Sequence, residues 1–242
     1  MGEPLLNVSF YGVRGSTPCG SEDNRRYGGN TSCVALEAPG HEPIVLDLGT
    51  GLRFFGETQP QDGTFKGSAL VTHLHWDHVQ GLPFFTPVLK PGSRLDIYGP
   101  RQEAGTVGEA FRRFICPPFF PVTVEQLYGQ MSFYDVEGED IELDGAKVRV
   151  RPVPHVGANN GYRVEIGGAA HNDFTVYVLN DDRYAEMDTV YKDAEREHGQ
   201  TLHMKDHAQP LYERFEHPSR PEAAGGSPLP TPAAPAPRND GP

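Results

Sequence analysis

The residues best suited to chemistry stand together at Val71-Thr72-His73-Leu74-His75-Trp76-Asp77-His78, where three histidines and an aspartate fall within six residues. Imidazole nitrogens and a carboxylate suit zinc, with manganese or iron as alternatives, because geometry and availability decide among such metals. An apolar run, Ser68-Ala69-Leu70-Val71, leads into the cluster and reads as a buried strand that delivers ligands at its C-terminal end. His73 and His75 alternate, so on a continuing strand they share one face. Asp77 and His78 follow where the chain must turn, and they address a neighbouring point. The pattern therefore points to two adjacent metal ions. A solvated loop with unrelated histidines is the plain alternative, and the density of ligands speaks against it.

The elements that must position this cluster are short strands divided by glycine- and proline-rich turns. Strand patterns run over Leu6 to Val13, Cys33 to Glu37, Pro43 to Leu48 and Arg94 to Gly99. More follow at Met131 to Glu137, Asp140 to Leu143, Lys147 to Val153, Tyr162 to Ile166 and Phe174 to Leu179, with a hairpin turn at Asp144-Gly145. Helical spacing covers Glu103 to Ile115, with Val107, Ala110, Phe111 and Phe114 on one side, and again about Tyr184 to His198. Two strand ends carry polar residues of interest. Asp47-Leu48-Gly49-Thr50-Gly51 reads either as a buried carboxylate held by backbone N–H groups or as an Asx-type turn. His155 ends the strand after Lys147, and beside a two-metal cluster it is the natural third nitrogen ligand.

Composition sets limits on the partners. The chain has 242 residues, enough for one sizeable domain, expected over residues 1–216. From His217 onward eight prolines fall in 26 residues with no aromatic, so 217–242 reads as a disordered Pro/Ala-rich tail. Lys plus Arg is 21 against 33 for Asp plus Glu, a net charge of -12. That field repels polyanions and favours a small-molecule substrate over a long nucleic acid. Three cysteines without CxxC spacing make no disulfide framework. With no leader pattern and no apolar run of membrane-spanning length, a soluble cytoplasmic protein is the default expectation.

The cluster resembles the metallo-β-lactamase superfamily, whose His-x-His-x-Asp-His signature is matched by His73, His75, Asp77 and His78. Gly12-x-Arg14-Gly15-Ser16, Tyr27-Gly28-Gly29-Asn30-Thr31, Asp47-x-Gly49-Thr50-Gly51 and His155-x-Gly157 look like its ribonuclease Z-like and cyclic-phosphodiesterase-like branch. The resemblance runs from about Phe10 to Ile166. It implies an α/β (α+β) fold, an αββα sandwich with the metal site at the edge between the sheets, here with a shortened second half. It further implies that His73, His75 and His155 hold one ion, that Asp77 and His78 hold a second, and that Asp77 orients the attacking hydroxide. The candidate for the family's bridging aspartate is Asp181, with Asp182 close behind. An alternative alignment makes Val176 to Asp182 a remnant of the last strand and leaves no bridge. His203 and His207 are conceivable last ligands. Two cations bridged by an oxygen lower the pKa of bound water from about 15.7 towards about 7, which supplies the hydroxide. The expected activity is a phosphodiesterase on a small or cyclic phosphodiester. A lactone, thioester or β-lactam hydrolase, or an impaired metal-binding relative, are the alternatives. Family members often pair, so a homodimer is an option.

Overall fold

The computed structural model describes residues 6–21, 27–167 and 173–178. Ten strands and three α-helices are assigned there, besides short 3-10 turns: β1 (Asn7–Gly12), β2 (Cys33–Glu37), β3 (Ile44–Leu46), α1 (Leu52–Thr58), β4 (Lys66–Leu70), α2 (Trp76–Val79), β5 (Arg94–Gly99), α3 (Val107–Phe114), β6 (Gln130–Asp135), β7 (Asp140–Leu143), β8 (Ala146–Pro152), β9 (Asn160–Gly167) and β10 (Asp173–Val178). Six strands form one sheet in the order β1-β2-β3-β4-β5-β6, and four form a second in the order β10-β9-β8-β7. The second sheet is antiparallel throughout. In the first, β3, β4, β5 and β6 run parallel, which requires crossover connections; α1 and α3 lie in two of these.

Alternation along the central strands explains why both faces of the first sheet are covered. Ile44, Leu46 and Leu70 face the second sheet, where they meet Val148, Val150, Tyr162 and Val164. Their neighbours Val45, Ala69 and Val71 face the other way, into a cluster with Leu52 and Phe55 of α1 and Val107 and Phe111 of α3. Strands buried on both faces read as unbroken apolar runs, as Ser68 to Val71 does. The expected sandwich is thus present as one helical layer and two sheets. Among the described residues no helix covers the outer face of the second sheet. The helix expected about Tyr184 to His198 and the tail from His217 lie outside the described residues, as do Asp181, Asp182, His203 and His207.

Three local expectations change. The helix expected from Glu103 begins at Val107, because Gln102 and Gly105 exchange backbone hydrogen bonds in a turn and Thr106 then caps the helix. Thr106 Oγ1 accepts from Glu109 N while the Glu109 carboxylate accepts from Thr106 N, a capping box. Helix α1 was not expected; its seven residues are too short for a clear period, although Leu52, Phe55 and Gly56 line its buried side. Finally, His73 and His75 do not continue strand β4. The ladder stops because the Thr72 N–H turns to the Asp47 carboxylate and the Thr72 carbonyl accepts from Asn160 of the second sheet.

That last bond is a polar link between the sheets at this edge, and Tyr162 supplies another. The buried Tyr162 hydroxyl donates to the Val71 carbonyl at 2.7 Å. Burial raises the Tyr162 pKa well above the ordinary phenol value, so the group remains a donor. Tyr162→Phe leaves the Val71 carbonyl without this donor and is expected to lower stability by about 1 kcal/mol, read by urea denaturation. An unchanged midpoint would show that the link contributes nothing to sheet docking.

Candidate metal centre

The site forms where the parallel strands β3 and β4 end, the usual place for ligands in sheets of this kind. Strand β3 delivers Asp47, and β4 runs into Thr72, His73 and His75. Helix α2 opens directly after His75, with Asp77 and His78 in its single turn. His155 arrives from the opposite sheet, in the loop between β8 and β9. The strand that follows it is tied to the residues just after β4 by the hydrogen bonds of Asn160 and Tyr162.

Among the described residues, His73, His75 and His155 offer ring nitrogens that all lie within 4.8 Å of one another. Nε2 of His155 and Nε2 of His73 face each other at 3.1 Å. His73 is buried, His75 exposed and His155 half-buried, so the group opens to solvent on one side. Burial, and then the neighbouring His78, push the His73 pKa down to about 3. His73 is therefore a neutral imidazole at physiological pH, with a nitrogen lone pair available to a cation.

Asp77 and His78 stand beside this triad. The centroids of the His73 and His78 rings are 4.2 Å apart, and His78 Nε2 lies 3.3 Å from Asp77 Oδ2. That same carboxylate oxygen accepts from the Ser16 N–H at 2.7 Å, which draws the Arg14–Ser16 loop over the site. Five of the six expected ligands are thereby brought to one place. Asp181, the sixth, falls outside the described residues.

The open question about Asp47 is answered by its partners. Its Oδ1 accepts from the Thr72 N–H and the Thr72 hydroxyl, at 2.8 and 2.9 Å. Its Oδ2 accepts from Ser32 Oγ at 3.0 Å and meets His78 Nδ1 at 2.7 Å. The residue is buried and adopts a φ of 61°, a left-handed conformation that aspartate tolerates better than most residues. It is no Asx turn. A carboxylate only accepts, so the His78 proton sits on Nδ1 and Nε2 is turned towards Asp77. Burial opposes a charge on His78, but Asp47 and then Asp77 outweigh it and raise the pKa. With Asp47 keeping the proton on Nδ1, the Nε2 lone pair and the Asp77 carboxylate 3.3 Å away could share a divalent cation. The donor set therefore fits a metal.

Close backbone approach explains the glycines around the site. A Cβ on Gly49 would stand 2.4 Å from the Asp77 carbonyl oxygen, 2.5 Å from Thr31 Oγ1 and 2.6 Å from the Ser32 carbonyl oxygen. Gly49 is where the segment before β2, the loop after β3 and helix α2 touch.

No family model matches the chain. The ribonuclease Z of Natronomonas pharaonis is 31% identical over 147 residues, which cover 57% of this chain and 42% of that protein. The ribonuclease Z of Prochlorococcus marinus (strain MIT 9515) is 26% identical over 167 residues, 66% of this chain and 49% of that protein. The chain spans about half the length of the curated relatives it matches. Among solved structures, the metallo-β-lactamase fold protein YhfI from Bacillus subtilis superposes with a TM-score of 0.50 at 13% identity, over 70% of this chain and 60% of that one. At that identity the likeness is one of fold.

Proposed function

From a chain that has the metallo-β-lactamase fold and is ribonuclease Z-like in sequence, we propose a metal-dependent hydrolase of phosphodiesters. The observation that carries this reading is the convergence of His73, His75 and His155, from two different sheets, with Asp77 and His78 alongside. His73, His75 and His155 would hold one divalent cation, and Asp77 and His78 the second, with Asp181 as candidate bridge. Such ions, zinc foremost, supply Lewis acidity that activates water at neutral pH and draws charge from a phosphoryl oxygen.

The protein's own groups prepare the site. Asp47 fixes the His78 ring, and the Ser16 N–H fixes Asp77. The exposed edge of His75 leaves the triad open to a substrate. The relatives are named for action on RNA, whereas a net charge of -12 favours a small or cyclic phosphodiester. Both belong in the test.

The test combines elemental analysis with turnover. The full chain is expected to carry a divalent metal and to hydrolyse bis(p-nitrophenyl) phosphate faster than lactone or thioester substrates. Treatment with EDTA should remove the activity and added zinc or manganese should restore it. A structured RNA and a cyclic nucleotide compared alongside decide the substrate size. Turnover of the phosphodiester no higher than in His75→Ala would sink the reading. Metal content that is unchanged in Asp181→Ala would remove that residue from the site.

Among the described residues no helix is long and apolar enough to cross a membrane.

A further inference from the structure

Two motifs of the sequence supply no proposed ligand, Gly12-x-Arg14-Gly15-Ser16 and Tyr27-Gly28-Gly29-Asn30-Thr31, and the fold brings them together. The Arg14 N–H donates to the Asn30 carbonyl and the Cys19 N–H to the Gly29 carbonyl, both at 3.0 Å. Gly29 permits this contact, since a Cβ there would stand 1.8 Å from the Cys19 carbonyl oxygen. Across the middle of the loop, Arg14 Nε donates to the Thr17 carbonyl at 2.9 Å. The loop held in this way carries Ser16 at its tip, with a φ of 65°, and the Thr17 N–H returns to the Gly15 carbonyl at 2.9 Å. That is a γ-turn of the rare, strained hand. What it presents is the Ser16 N–H, which meets Asp77 Oδ2 at 2.7 Å across 61 positions of sequence.

We propose that Ser16 is a positioning residue: its strained turn sets the Asp77 carboxylate for the second cation, separately from the first. The proposal rests on the two-metal reading above. Three observations carry it. Strain persists only where the surroundings impose it, and packing does not impose this turn. Ser16 is exposed, and nothing lies within 4 Å of the neighbouring Gly15 Cβ position. The bond to a carboxylate, among the stronger kinds of hydrogen bond, is what the turn delivers. Secondly, the oxygen that Ser16 holds is the one 3.3 Å from His78 Nε2. A carboxylate oxygen has two lone pairs, so one takes the N–H and fixes the group while the other stays free for a cation. Thirdly, one short segment supports both residues of this half-site. Gly29 and Asn30 anchor the Ser16 loop, and Ser32 Oγ donates to the Asp47 carboxylate that orients His78. The Ser16 loop makes no hydrogen bond to His75 or His155.

Two variants of the full chain test this. Ser16→Gly keeps the N–H and accepts a positive φ, whereas the β-branched side chain of Ser16→Val opposes it. Zinc is titrated by calorimetry into the metal-free wild type and both variants. Wild type and Ser16→Gly are expected to take up two ions alike. Ser16→Val should keep the first ion and bind the second about 10–100-fold more weakly, the range for losing a group that orients a ligand. Position 16 is exposed, so the three metal-free proteins should melt together. A further readout needs no metal. In the metal-free wild type the Ser16 amide proton should exchange slowly and resonate downfield, unlike that of an unbonded exposed residue, and Asp77→Ala should abolish both signs. Wild-type affinity for both ions in Ser16→Val, equal weakening of the two, a matching loss in Ser16→Gly, or a freely exchanging Ser16 amide would overturn the proposal. A protected Ser16 amide in a wild-type chain that takes up no second ion would instead keep the hold on Asp77 and reject the two-metal reading.

Discussion

Replacement of Asp47 by alanine is expected to destabilise the protein by about 3–5 kcal/mol, the range for removing one partner from a buried ionic pair. The carboxylate accepts from Ser32, from the Thr72 backbone and hydroxyl, and from His78, and Asp47, Thr72 and His78 are all buried. Each donor left alone costs about 1–3 kcal/mol, although neighbouring losses do not add. Alanine also tolerates the left-handed φ of 61° poorly, whereas asparagine accepts it. Asp47→Asn is therefore the informative companion. It should fold, but its neutral amide no longer fixes the His78 tautomer. Metal affinity or turnover should drop by about 10–100-fold, as for other residues that orient a ligand without touching the metal. Thermal denaturation measures the first effect and metal titration of the asparagine variant the second. A fully active, fully loaded Asp47→Asn protein would show that the carboxylate serves folding only.

Gly49→Ala is the second large effect expected. The added methyl meets two backbone carbonyl oxygens and a threonine hydroxyl at 2.4–2.6 Å, and none of these is the far end of a flexible side chain. The loops carrying Thr31, Ser32 and Asp77 must separate, so the cost should reach or exceed the upper end of the about 1–3 kcal/mol typical of overpacking. Asp77 moves with its backbone, and metal content should fall together with stability. Gly15→Ala is the matched control, since nothing lies within 4 Å of its Cβ position. Equal melting temperatures for the two variants would refute the crowding argument.

How much of this was legible in the chain follows from sequence distance. His73 to His78 announce themselves because the candidate ligands lie within six residues, and the strand before them is apolar on both faces. His155 is legible only once that cluster is recognised, since its partner is 82 positions away. Asp47 is harder. The partners that distinguish a buried hub from an Asx turn lie 15, 25 and 31 positions off, and no local pattern names them. Helix α1 escapes because its N-cap is a glycine that makes no side-chain bond and its length gives under two full turns of periodicity. The strand expected through His73 fails for the opposite reason. Its local pattern is sound, but the Thr72 amide finds a better acceptor in Asp47 than in the ladder.

The placement of His155 on the second sheet has a thermodynamic side. A cation shared by His73 and His155, as proposed, would cross-link two sheets and close a loop spanning 82 positions. The unfolded chain, with those imidazoles far apart, has no such chelate to offer. Occupancy and sheet docking would then be one linked equilibrium, in which metal supply sets part of the folding free energy and chelators act as denaturants.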